Sequence, residues 1–173
     1  TVADAEIHAE LAVFHTPEDH PDGTLFGNND YVPKAVLGAS YTLGIGNGLT
    51  VLLEYHYSGF GARHTDEAQD LFAIPEYAER LRRGDSQPIG RHACGMQISY
   101  PISESLNATL ATFASPTDGS GIVSPALRWD LSRAISFTTA AYVPWGQPPT
   151  NGRIESEYGS SPTSLFAQLG MYF

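Results

Sequence analysis

SLFAQLGMYF, residues 164–173, alternates strictly: Leu165, Ala167, Leu169, Met171 and Phe173 fall on one side, and Ser164, Phe166, Gln168, Gly170 and Tyr172 on the other. A strand turns successive side chains to opposite faces, so the run predicts a strand with one apolar face. In water a free edge strand with such a face invites aggregation, so the run calls for a partner or a lipid phase.

The same test applied upstream finds seven more strands. LTVLLEYHYS, residues 49–58, sets Leu49, Val51, Leu53, Tyr55 and Tyr57 against Thr50, Leu52, Glu54, His56 and Ser58. Ile7, Ala9, Leu11 and Val13 oppose Glu6, His8, Glu10 and Ala12, and Ala35, Leu37, Ala39, Tyr41 and Leu43 oppose Lys34, Val36, Gly38, Ser40 and Thr42. Further runs follow at Cys94–Tyr100, Leu106–Ala111, Val123–Leu131 and Ile135–Trp145.

Connections between these runs alternate in length. Short ones lie at 44–48 (GIGNG), 101–105 and 132–134; long ones lie at about 15–32, 58–91, 115–121 and 146–162. An antiparallel meander across a bilayer has this order, with tight turns on the periplasmic side and longer loops outside. The expected fold is therefore all-β: an antiparallel transmembrane β-barrel, an up-and-down meander with eight strands in this chain, closed alone or part of a larger barrel. One domain spans residues 1–173. The apolar sets would face lipid, and Tyr55, Tyr57, Tyr100, Trp145 and Phe173 would form interfacial aromatic girdles. A soluble β-sandwich or lipocalin-like barrel also alternates, but the loop order, the aromatic at position 173 and strand lengths near the 9–11 residues of a spanning strand are jointly harder for it to meet.

Composition narrows the function. The formal charge of -10 argues against a nucleic-acid surface, which needs clustered Lys and Arg. Cys94 is the only cysteine, so no internal disulfide and no multi-cysteine metal cage is expected. No apolar run reaches the ~18 residues of a transmembrane helix, which leaves strands as the means of crossing. No signal peptide is evident, so an exported protein would already have lost it.

The ending LFAQLGMYF resembles the C-terminal assembly signal of bacterial outer-membrane β-barrels, an aromatic residue preceded by apolar residues at every second position. VLGASYTLGIGNGLTVLLEYHYSGFG and SEYG are similar to the C-terminal parts of larger porin-like barrels, which are longer than this chain. The resemblance implies a bacterial outer-membrane location. Its partners would be outer-membrane lipid and lipopolysaccharide, the barrel-assembly machinery acting on the last strand, and further barrel strands from another chain or a second copy.

Charged residues opposite the apolar sets are the expected lumen lining: His8, Glu10, Lys34, Glu54, His56, Arg128 and Asp130. His8 and Glu10 on one strand and Glu54 and His56 on another flank the small residues Gly38 and Ser40. Imidazole and carboxylate suit Zn²⁺, but strands two apart in a sheet are almost ~10 Å apart, so hydrogen bonding and ion pairing in a polar interior are the expectation. The stretch HTPEDHPDGT from His15 is acidic without an EF-hand ligand ladder and reads as a solvated loop. Residues 65–74 and 75–83 read as two short helical pieces divided at Pro75 and capped by Thr65, folded into the lumen, set over its mouth as an external cap, or left as a disordered loop. Small residues on the wet face, including Gly38, Ser40, Ala93, Gly95, Ser99 and Ala140, would underfill an eight-stranded barrel, whose interior is only wide enough for side chains.

The expected function is a porin-like channel for passive passage of small polar or cationic solutes, without cofactor or metal. The alternative is a non-conducting structural or partner-binding barrel. HYS at 56–58 resembles the His-x-Ser of outer-membrane lipid A deacylases, in which a His-activated Ser attacks an acyl ester. It sits on the third strand rather than near the C-terminus, and alternate residues of any strand share a face, so an enzyme is not expected.

Overall fold

The computed structural model describes residues 5–15, 31–84 and 89–172. Eight strands make one sheet: β1 Ala5–His15, β2 Tyr31–Leu43, β3 Leu49–Ser58, β4 His92–Pro101, β5 Leu106–Ser115, β6 Ser120–Ser132, β7 Ile135–Trp145 and β8 Ser164–Met171. Each pairs antiparallel with the next in sequence, in the order β1 to β8 without a crossover.

Register carries the alternation from strand to strand. Ile7 pairs with Ala39, Ala39 with Leu53, Leu53 with Met96, Met96 with Thr112, Thr112 with Val123 and Val123 with Val143. One residue along, His8 pairs with Gly38, Gly38 with Glu54, Glu54 with Gly95 and Gly95 with Phe113. The apolar sets thus share one face and the polar sets the other. A one-residue slip in any pairing would mix them.

Among the described residues β1 pairs only with β2 and β8 only with β7. The sheet is open: of the two expected alternatives, the one in which the eight strands close alone is corrected. Closure needs a stagger that brings the free N–H and C=O groups of β1 and β8 into one ladder, and no such ladder forms. The expected loop at 115–121 is also corrected. β5 and β6 extend to a tight turn at 116–119, where Gly119 N–H donates to Ser115 O at 2.8 Å and Ser120 N–H to Asp118 Oδ1 at 2.8 Å.

At the tight-turn end, Asn47 Nδ2 donates to Pro101 O at 2.9 Å and Ile102 O at 3.1 Å, stitching turn 44–48 to turn 102–105. Gly46 has φ 56°, and a Cβ there would meet the Tyr100 hydroxyl, so the turn needs glycine twice over.

The long connection after β3 holds α1 Thr65–Phe72 and α2 Pro75–Arg83. Pro75 opens α2, where its missing N–H costs no helical bond. The N-cap of α1 is His64 rather than the expected Thr65, which is already helical. Val32, Phe60, Ala62, Ala68, Leu71 and Tyr77 are buried together, with Phe14 packed on them. Phe14 and Val32 are paired residues of β1 and β2 on the polar face, so the helical insertion is anchored over the loop end of that face. No helix among the described residues is long and apolar enough to cross a membrane.

Candidate functional site

Three strands bring the centre of the polar face together. His8 Nε2 lies 3.0 Å from Glu54 Oε1, and His56 Nε2 lies 3.4 Å from Glu54 Oε2, so one carboxylate accepts from two imidazoles. The reach from β1 to β3 works because the residue between them has no side chain. A Cβ on Gly38 would collide with the His8 ring. The distance expected to keep these strands apart is therefore spanned by an imidazole lying over glycine. Among the described residues no three His, Cys, Asp or Glu groups converge as a metal-ligand set; each imidazole faces its own oxygen of Glu54.

Other lumen candidates fall around or apart from this centre. Glu10, Lys34, Phe14 and His56 line one hollow toward the loop end, where Lys34 Nζ sits 5.8 Å from the Phe14 ring centroid. Arg128 and Asp130 lie away on β6 and pair with each other at 3.3 Å, so they do not neutralise Glu54. Both are exposed, and such a pair contributes little to stability.

Phe113 is a polar-face residue that the charged-residue search missed. It is exposed, and its ring lies beside Gly95, the partner of Glu54. Gly38 and Gly95, counted from the sequence as small residues that underfill, each seat a neighbour's ring.

The His-x-Ser arrangement is not assembled as a relay. Ser58 is buried and its Oγ has no hydrogen-bond partner, while His56 turns to Glu54.

Of the expected girdle residues, Tyr55 and Tyr57 lie toward the loop end of β3, and Tyr100 and Trp145 sit at strand ends. Tyr55 Oη and His92 Nδ1 are 2.6 Å apart, and the Tyr57 and His92 ring centroids 5.6 Å apart. His92 was missed although it shares the apolar face with Cys94 and Met96. Tyr100 lies against the opposite turn, and Trp145 crosses Gly121 so that its indole N–H donates to Gly119 O at 3.0 Å. Phe173 and most of the acidic stretch after His15 lie outside the described residues.

A second polar cluster, unforeseen in the sequence, locks three loops at the other end of the sheet. Glu157, between β7 and β8, accepts from Ile89 N–H and Gly90 N–H at 3.2 Å each. Asp118, in the β5–β6 turn, accepts from Glu157 N–H at 2.7 Å through Oδ2 and from Ser120 N–H through Oδ1. Ser120 Oγ accepts from Tyr158 N–H at 3.2 Å, and Ser156 Oγ donates to Gln147 O at 2.9 Å. Burial pushes the Glu157 carboxyl above the usual range, reinforced by Asp118 and opposed by the two backbone N–H bonds and by the Ser115 hydroxyl. Burial, with these two carboxylates, raises Tyr158 to about 12. No periodicity marks such a cluster, because its residues come from turns.

No family model matches the chain, and no curated protein or solved structure is significantly similar to it.

Proposed function

We propose that this chain forms part of the wall of a porin-like channel in a bacterial outer membrane, passing small polar or cationic solutes, its sheet completed by further strands. The observation that carries the reading is the continuous apolar face, whose side chains are exposed on seven of the eight strands, from Ile7, Leu37 and Leu53 to Leu127, Leu165 and Leu169, and half-buried on β4. In water such a face would drive association; against hydrocarbon it is the favourable surface. The unpaired edges of β1 and β8 support completion by added strands, since open edges are not tolerated in a bilayer core. The resemblance of LFAQLGMYF to an outer-membrane assembly signal points the same way, and lipid, lipopolysaccharide and the assembly machinery are the partners it brings. The carboxylate of Glu54, with Glu10 nearby, biases the polar face toward cations.

Planar-bilayer recording of the purified assembly, with its mass measured in the same detergent, tests the reading. Cation-selective steps from a particle with additional strands are expected, with selectivity reduced by Glu10→Gln and Glu54→Gln together. A silent particle, or selectivity unmoved by the double substitution, overturns the channel and leaves a structural or partner-binding barrel.

A further inference from the structure

The hollow on the polar face near the insertion has a volume of about 290 Å³, and Glu10, Phe14, Lys34, Val36, His56 and Ser58 are among the residues that line it. Register sets them around Val36: Glu10 and His56 flank it from β1 and β3, and Lys34, two residues before it on β2, pairs with Ser58. Lys34 is thus a diagonal neighbour of both Glu10 and His56, and such neighbours stand about 7–8 Å apart, within reach of long side chains. Lys34 Nζ lies 5.8 Å from the Phe14 ring centroid, and Phe14 meets Phe60 of the insertion edge-on with centroids 5.3 Å apart. The ammonium therefore stands at the loop end of the hollow, and Glu10 lies one row of paired residues from Glu54, toward the centre of the sheet.

Ser58 is the residue of this lining that the fold alone does not satisfy. It is 1% exposed, and its backbone is fully engaged, with its N–H donating to Arg91 O and its carbonyl accepting from Gly61 N–H. Its Oγ has no hydrogen-bond partner. Burying a hydroxyl without a partner is costly, so the group calls for one. Alternation turns Ser58 to the face of Lys34 and His56, where it lines the hollow. His56 is engaged with Glu54, so the other charged groups of the lining are Glu10 and Lys34, of opposite sign.

We propose that this hollow binds a small zwitterion of the α-amino acid class, with its ammonium on Glu10, its carboxylate on Lys34 and the Ser58 hydroxyl, and its aliphatic part against Val36 and the Phe14 ring. A simple cation would meet Lys34 and a simple anion would meet Glu10, whereas a zwitterion offers each the opposite charge. The hollow falls at the lower bound of the roughly 300–1,000 Å³ that drug-sized ligands occupy, so the guest is small. As the solute of the proposed channel, the zwitterion rests on that reading. As a binding site, the hollow needs only the polar face of β1 to β3 and the Phe14–Phe60 contact, and does not depend on whether the sheet conducts.

Ligand-observed NMR titration of L-alanine into the purified assembly in detergent, at neutral pH, tests the site. Saturable binding is expected, at least about ten-fold tighter than that of ethylamine or propionate, which keep one charge each, because hydrogen bonds to charged groups are the strong ones. Glu10→Gln should weaken alanine binding by about ten-fold on the same ground. Ser58→Ala should weaken alanine several-fold while leaving ethylamine, which has no carboxylate for the hydroxyl to meet, unchanged. The Ser58 hydroxyl has no hydrogen-bond partner, so the fold should persist by circular dichroism, and a merely structural role would not separate the two ligands. Glu104→Gln, in the tight turn at the opposite end of the sheet, should change nothing. No saturable binding by folded protein, binding no tighter than that of either analogue, or indifference to Glu10→Gln and Ser58→Ala overturns the site. Planar-bilayer recording on the same preparation keeps the two readings apart: alanine binding by a silent particle overturns the channel alone, and a conducting particle that ignores alanine overturns the site alone.

Discussion

Tyr77 and Phe60 in the helical insertion are 0% and 1% exposed, whereas Ile7 on β1 and Leu165 on β8 keep 78% and 79% of their surface open. One chain thus treats apolar side chains in two opposite ways. The insertion folds as a domain folds in water, sealing rings around Ala68 and Leu71. The strand wall instead sorts side chains by face and leaves the apolar face bare. The proposed membrane setting accounts for both, with water at the loop end and hydrocarbon around the wall.

The largest effect that could break this contrast lies in the insertion. Phe60→Ala should cost about 3–5 kcal/mol of local stability, the usual loss for a buried aromatic, read as faster proteolysis between residues 60 and 84 while the sheet signal persists. An unchanged cleavage rate would mean that the insertion has no core of its own. On the wall, Leu53→Arg should cost about 2–4 kcal/mol in lipid vesicles, as Arg does on the lipid face of a barrel near the midplane. The same change should fall within about ±0.5 kcal/mol if the face meets only water. Denaturant titration in vesicles separates the two. Smallest is Asn47→Ala, which removes two exposed hydrogen bonds between the tight turns and should cost about 1–2 kcal/mol. No measurable loss would show that the turns are held by the strands alone.

Most of the wall was legible in advance because alternation is local. Leu49 to Ser58 declares both faces without help from any neighbour, and the observed registers place its apolar set beside those of β2 and β4. Phe14 and Val32 were not legible as core: they sit on the polar face, and the residues that cover them come from Phe60 onward. Their only sequence signal is apolarity on the wet side at a strand end. The centre at Glu54 was half legible. The faces put His8, Glu54 and His56 together, but the span across β2 turned on Gly38 as a seat for a ring rather than as a gap. Asp118, Ser120 and Glu157 gave no signal, since hydrogen bonds between turns follow no period. The open edge was illegible too, because alternation reports which way side chains point and not which backbone groups find partners.

The insertion between β3 and β4 bears on how the sheet is assembled. Every pairing joins neighbours in sequence, so the sheet can grow by adding hairpins one after another, and its slow stitch is the one across residues 59–91. The entropy of closing a flexible loop rises with its length, by about 0.6 kcal/mol per doubling. Here the base of the loop is already pinched: Ser58 N–H donates to Arg91 O at 2.8 Å, Ala62 N–H to Ile89 O at 2.9 Å and Arg91 N–H to Ala62 O at 2.9 Å. The first continues the β3–β4 ladder, and the other two make a parallel bridge between Ala62 and Gly90 beyond it. Once the helices have condensed on Phe60, the chain entering β4 is held beside the end of β3, and the longest described detour in the sequence becomes a short step in the order of folding.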